Sequence, residues 1–390
     1  MGPKSFDLMR SGWLLSPAST IPTIKIAIYR STSIGDVVLA TACLHLLRAL
    51  KLPYHVTWVG RDPSLKLISS AFPEIRTVEV NSDIPNYQNL VVEQLKDVHF
   101  LIDLQTNLRS RLISFQLQKD YRIPTYSCDK NSWARGRMVM ASRLRGRRHS
   151  LPENLQHSEK HQYRLMVDAL REGLLRHLPQ EKRDGVASSP ADPILPFDHD
   201  EGQRPWQKEL KFGHWLAVAP GAAHPSKKAP EDLFLDILDR VRQHLRMAER
   251  SEASLGLLFV GSEPDRDVAL SLIDSLNWQG SVLNLAGKLS LWESALAVKE
   301  VHATLSNDSS LAHISEAVGT PSVVLFGPTV EAFGFDPWRP HSRAFSAPLG
   351  CRPCSKHGKA PCRYGDYLCF KLLSPGHIAS HIWNLLASRL

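Results

Sequence analysis

Residues Tyr29–Leu50 read YRSTSIGDVVLATACLHLLRAL. The stretch opens on the end of an apolar β-branched run, passes through Ser31-Thr32-Ser33-Ile34-Gly35-Asp36, and continues as a largely apolar helix. A strand that turns through small residues into a buried helix is the unit of a parallel, helix-covered sheet. Asp36 stands at the mouth of this turn. It suits two roles: an N-terminal helix cap, or a carboxylate that takes a proton from a hydroxyl at a strand's carboxyl end.

The same rhythm runs in both directions from this unit. IKIAIY, YHVTWV, IRTVEV and VHFLID read as strands in the first half, and WLAVA, LGLLFV, SVLNL, HATLS and PSVVLF in the second. Pro230–Met247 reads as a helix with one apolar stripe of Phe234, Ile237, Leu238, Val241 and Leu245. Two βα series predict an α/β protein of two doubly wound, Rossmann-like domains facing across a cleft, with ligands beyond the carboxyl ends of the strands. The expected divisions are an extension at 1–23, a first domain at 24–177, a Pro-, Asp- and Gly-rich linker at 178–206, a second domain at 207–373 and a C-terminal helix at 374–390.

At 390 residues the chain is long enough for two ordinary domains, and its 43% hydrophobic content suits large cores. No apolar run approaches the ~20 residues of a membrane span, and residues 1–23 lack the pattern of a signal peptide. A cytoplasmic location is expected. The net charge of +8 favours acidic partners such as nucleic acid, anionic lipid or phosphorylated sugars.

Three further turns carry chemistry. In TLSNDSSLAHISEAVGTPSVVLFGPT, Thr304–Thr329, a strand ends at Ser306 and a helix opens after Asp308. The N–H groups of Ser309, Ser310 and Leu311 suit an anion, Asp308 suits sugar hydroxyls, and His313 points back to the same end; a capped helix with a core histidine reads equally well. In APGAAHPSKKAPEDLF, Ala219–Phe234, Lys227 and Lys228 precede a helix and can neutralise a diphosphate or simply be solvated. In FVGSEPDRD, Glu263 follows a strand, where an acid commonly takes ribose hydroxyls.

Together these pieces resemble glycosyltransferase family 9, the bacterial heptosyltransferases, from Ile24 to Ser380. STSIGDVVLAT is similar to the family's N-terminal signature, IDLQTNLRSRL to its Asp-Leu-Gln-x-Asn-x-Arg-Ser stretch, HSEKHQYRLMVDAL to the helix ending its first domain, and PSKKAPEDLF to its lysine loop. AGKLSLWESALAV and SNDSSLAHISEAVGTPSVVLFGPT are the most specific matches. Ala229 stands where the family usually has Trp, and Ser310 where it usually has Gly.

The resemblance implies a GT-B fold, an acceptor-binding first domain, a nucleotide-sugar donor domain and an ADP-activated heptose. It implies that Asp36 is the general base and that Lys227 binds the diphosphate. Glu263 would then contact ribose, Leu289 would line the nucleobase, and Asp308, Ser309, Ser310 and His313 would surround the donor sugar and phosphates. The expected reaction is inverting transfer of heptose to a sugar hydroxyl of a lipopolysaccharide core acceptor, with no cofactor required for catalysis. Asn107, Arg109 and Arg111 are expected to bind the acceptor, a lipid-linked phosphorylated glycan.

The basic run ARGRMVMASRLRGRRHS, from Ala134 to Ser150, reads either as a solvated loop or as contact with glycan phosphates or the anionic inner membrane. Cys351, Cys354, Cys362 and Cys369, in a loop spanning 351–369, suggest a structural zinc or iron, with free thiols or a disulfide as the alternative. Two other functions compete: heptose transfer to a protein, and a basic nucleic-acid-binding protein with a metal knuckle. The latter explains the charge and the cysteines but leaves Asp36 and Asp308 without purpose, so no nucleic-acid partner is expected.

Overall fold

The apolar runs of the first half form one parallel sheet in the computed structural model, which describes residues 23–81, 83–129, 132–197, 202, 204–211 and 213–387. Its strands are β1 (Ile24–Tyr29), β2 (Tyr54–Gly60), β3 (Arg76–Glu79), β4 (Phe100–Asp103) and β5 (Thr125–Ser127), in the order β3-β2-β1-β4-β5. The second half forms another, of β6 (His214–Ala219), β7 (Leu255–Phe259), β8 (Val282–Asn284), β9 (Ala303–Asn307), β10 (Ser322–Phe326) and β11 (Arg343–Ser346), in the order β11-β10-β9-β6-β7-β8. Both are doubly wound, and their strand order reverses beside β1 and β6. The N-terminal extension lies outside the described residues apart from Thr23.

The edge strands β5 and β11 add to those expected from sequence. Their segments, TYS and RAFS, are short and only partly buried, so neither carries the apolar run that marks a central strand. The helix Ile34–Leu50 follows β1 and is buried over most of its circumference, as its near-continuous apolar sequence demands. It packs between the helix Gln162–His177 of its own domain and the helix Ser310–Val318 of the other. The predicted helix after Pro230 runs from Glu231 to Met247. Pro230 takes the cap position, and all five residues of the stripe are fully buried.

The segment read as a linker braces both domains. It holds a short helix, Asp184–Ser188, and residues 190–197 carry no regular secondary structure. There Ile194 N–H donates to Thr41 Oγ1 at 3.0 Å, and Leu195 N–H donates to the Ala317 carbonyl at 3.1 Å. The basic run is helical up to Arg145, in the helix Ser132–Arg145 with Arg135 and Ser142 buried, and 146–150 continue as a turn with Arg147 and Arg148 exposed. The C-terminal helix, Pro375–Ala387, packs on Glu231–Met247 and closes the second core.

Candidate active site

The carboxyl ends of β1, β6, β7 and β9 surround one cleft of about 930 Å³, a volume suited to a nucleotide-sugar. Asp36, Lys227, Leu289, Asp308, Ser309, Ser310 and His313 all line it.

Asp36 is fixed from several sides. Ser33 occupies the cap position of its helix in an extended conformation. The Ser33 hydroxyl donates to Asp36 Oδ2 at 2.8 Å, and the Ser33 N–H reaches the same oxygen at 3.3 Å. Asp36 is thus the third-residue partner of a reciprocal cap. Arg30, almost wholly buried, brings Nη2 to 2.6 Å from Oδ2 while its Nη1 donates to the Leu104 carbonyl.

The turn before Asp36 is held by Gln105, whose Oε1 accepts the Ser31 and Thr32 N–H groups at 3.0 and 3.2 Å. Gln105 is placed by Asp103, whose Oδ1 accepts the N–H groups of Gln105 and Thr106. The IDLQTNLRS stretch is therefore a brace for the Asp36 turn. Within it Asn107 caps the helix Leu108–Tyr121 by accepting from Ser110 N–H at 2.9 Å, while Arg109 and Arg111 lie exposed on that helix, outside the residues lining the cleft.

On the opposite wall the Ser310 helix opens with Ser309 in the cap position and no side-chain cap bond, which leaves its first-turn N–H groups available to an anion. Asp308 is buried. Its Oδ2 accepts Lys227 Nζ at 2.6 Å and the Thr329 hydroxyl at 2.6 Å. Burial alone would raise its carboxyl, but Lys227, through its charge and its hydrogen bond, together with Thr329 and His313, holds it below the usual carboxylate value. The loop bearing Lys227 is tied to β9 by Asn307, whose amide donates to the Pro220 carbonyl at 2.6 Å and accepts from Ala229 N–H at 3.1 Å.

His313 is the seam between the walls. A Cβ on Gly35 would stand 2.8 Å from His313 Cδ2 and 3.6 Å from Ser310 Cα, so only glycine lets the two helix N-termini come this close. Burial lowers the His313 imidazole to about 4, so the ring is neutral near pH 7.

Glu263 stands at the rim, 68% exposed, beside Gly287, and does not line the cleft. The acid on the wall there is Asp265, which accepts Lys228 Nζ at 2.9 Å and the Ser262 hydroxyl at 2.6 Å. Sequence reading missed Arg30, Gln105, Asp265 and Asn307. Arg30 lies one residue past β1, and its place at the head of the turn was the available signal.

The four clustered cysteines are free thiols lining a separate small cavity of about 20 Å³. Burial pushes Cys354 up to about 11 and Cys369 up to about 12. Among the described residues, no three His, Cys, Asp or Glu side chains are arranged to hold a metal ion.

Similar folds occur among solved structures. The family 9 glycosyl transferase of Veillonella parvula matches at 16% identity over 94% of this chain and 98% of its own, with a TM-score of 0.65. Escherichia coli ADP-heptose lps heptosyltransferase II matches at 18% identity over 94% and 99%, with a TM-score of 0.60. E. coli heptosyltransferase WaaC, solved with ADP-2-deoxy-2-fluoro heptose, matches at 17% identity over 86% and 96%, with a TM-score of 0.57. At these identities the likeness establishes the two-domain GT-B fold. No curated protein matches the sequence. The profile of glycosyltransferase family 9 (heptosyltransferase) matches residues 91–365, more than half of the chain. The chain belongs to that family and is a glycosyltransferase.

Proposed function

We propose that the enzyme transfers heptose from ADP-heptose to a sugar hydroxyl of a lipopolysaccharide core acceptor, with inversion, and that Asp36 is the base. The observation that carries this reading is the meeting of two helix N-termini across the cleft: one presents the Asp36 carboxylate, the other presents unpaired N–H groups beside Lys227. The relatives solved with ADP or an ADP-heptose analogue support the choice of donor.

In this mechanism Asp36 accepts the acceptor's hydroxyl proton. The freed oxygen bonds to the anomeric carbon from the face opposite the diphosphate, and the carbon–oxygen bond to ADP breaks with its electron pair leaving on the phosphate. The N–H groups of the Ser310 helix and Lys227 stabilise that developing charge, the kind of fixed electrostatic help that lowers barriers most. Neutral His313 adds no further charge to the seam.

The experiment is titration with ADP, UDP and GDP, followed by mass spectrometry and NMR of the product formed from ADP-heptose. Preference for ADP and an inverted heptosyl linkage on a glycolipid support the reading. Preference for UDP or GDP overturns the donor, and heptose found on protein moves the enzyme to protein glycosylation.

The reading also places the enzyme in the cytoplasm, against the anionic inner membrane. Exposed apolar side chains on the two arginine-bearing helices support this: Leu108 at 74% and Phe115 at 64%, Trp133 at 86% and Leu144 at 85%. No helix among the described residues is long and apolar enough to cross a membrane. Retention on vesicles containing anionic lipid, lost when Trp133 and Leu144 become Ser, tests it.

A structural zinc or iron at Cys351, Cys354, Cys362 and Cys369 is proposed on the chemistry of the four thiols and their shared cavity, although their side chains would have to close around the ion. About one metal per chain by elemental analysis supports the site. Metal-free protein with four alkylatable thiols refutes it.

A further inference from the structure

Charge in the cleft is unevenly matched. Its three lining carboxylates each have a cation: Asp36 has Arg30, Asp265 has Lys228, and Asp308 has Lys227. Two lysines on the wall, Lys356 and Lys359, have no carboxylate within ion-pair distance among the described residues. Both come from the segment between Cys354 and Cys362, which sequence reading took as purely structural.

This segment is built to lie across the cleft. Gly358, at φ +73°, folds it onto Lys227: a Cβ there would sit 2.7 Å from Lys227 Cγ and Cε. The Gly358 carbonyl accepts the Ser226 hydroxyl. On the other side Lys356 lies along Gly136 of the Ser132–Arg145 helix, where a Cβ would be 3.2 Å from Lys356 Nζ.

Both ends are clamped to the first domain. The Ser142 hydroxyl donates to the Pro353 carbonyl at 2.7 Å, and Arg363 donates to the Arg143 and Ser142 carbonyls at 3.2 and 3.1 Å. The surroundings are cationic. The His224 imidazole is held below its usual value by burial and then by Lys227 and Lys359. That of His357 is lowered by burial and then by Arg135, Lys359 and Lys227, against an opposing pull from Asp36.

We infer that Lys356 and Lys359 form an anion subsite that takes a phosphate group of a substrate. Lys359 follows Gly358, which packs on Lys227, and Lys356 lies along Gly136 of the first domain, so the phosphate comes from the donor diphosphate or from a phosphorylated acceptor. With the three carboxylates already matched, these two side chains carry the cleft's uncompensated positive charge. The subsite itself stands on geometry and charge; which phosphates arrive rests on the proposed reaction.

The test uses the full chain with Lys356→Gln, Lys359→Gln and the double change, exposed positions where thermal stability should hold. Calorimetric titration with inorganic pyrophosphate, ADP and adenosine separates phosphate from base. A donor subsite predicts roughly tenfold weaker pyrophosphate and ADP binding in the double variant, with adenosine unchanged. An acceptor subsite predicts intact ADP binding and a raised KM for phosphorylated acceptor, with little change for the dephosphorylated one. Unchanged binding of pyrophosphate and ADP together with unchanged KM for the phosphorylated acceptor overturns the inference. Failure of the donor assignment looks different: the wild-type protein would prefer UDP or GDP, yet still lose pyrophosphate affinity when the lysines are removed.

Discussion

Arg30 Nη2 stands 2.6 Å from Asp36 Oδ2, and the Ser33 hydroxyl reaches the same oxygen at 2.8 Å. A buried guanidinium thus fixes the orientation of the proposed base. Arg30→Met should lower kcat by roughly tenfold, as expected for a misplaced catalytic group. A variant with wild-type kcat would remove Arg30 from the mechanism.

Lys227 and Asp308 form a nearly buried pair. Lys227→Ala leaves the carboxylate without its cation and should cost about 3–5 kcal/mol of stability, as well as weakening ADP binding. Pairing Lys227→Met with Asp308→Asn should recover most of the stability but not the ADP affinity. Lys228→Ala should affect ADP binding less, since Lys227 lines the cleft and Lys228 does not. Calorimetric unfolding and ADP titration check all three; equal ADP loss from Lys228→Ala would contradict the assignment.

Gly35→Ala drives a methyl into His313, 2.8 Å from its ring. The expected cost is about 1–3 kcal/mol, the range for overpacking a tight seam, with slower turnover because the base is pushed from the donor wall. His313→Ala in the same chain should relieve the stability loss. If Gly35→Ala is neutral by denaturant unfolding, the two walls are not in contact there.

The His313 imidazole, depressed from 6.5 to about 4, sets a pH dependence. Between those values the unfolded chain binds a proton that the folded chain refuses, so stability falls as pH drops from 6.5 towards 4 and levels below it. The effect reaches about 3 kcal/mol. Asp336, raised to about 7 chiefly by burial, works in the opposite direction, since its folded form gains a proton first. The wild-type profile is therefore flattened. His313→Asn should gain stability relative to wild type as pH falls through this window in urea titrations, and parallel profiles would refute the buried neutral ring.

The strand-to-helix turns at Asp36 and Asp308 were legible in the sequence because apolar run, small-residue turn and helix follow one another within a few residues. The central strands were legible for the same reason. The edge strands β5 and β11 were not, since half-exposed strands need no apolar run. The role of the Cys354–Cys362 segment was hidden by distance: it lies where Ser142 holds Pro353 and Gly358 meets Lys227, contacts between residues far apart in the chain. Glu263 and Asp265 sit two residues apart, and only the fold of the turn decides that Asp265 faces the cleft.

The most direct measurement is turnover of Asp36→Asn with ADP-heptose and acceptor, read beside its ADP affinity. Asparagine keeps the shape and can still hydrogen-bond, but it cannot hold the hydroxyl's proton. The account predicts a fall in kcat of roughly 100-fold or more with ADP binding close to wild type, while thermal stability falls because the buried Arg30 loses its carboxylate. An Asn variant that turns over at the wild-type rate would contradict the assignment of Asp36 as the base.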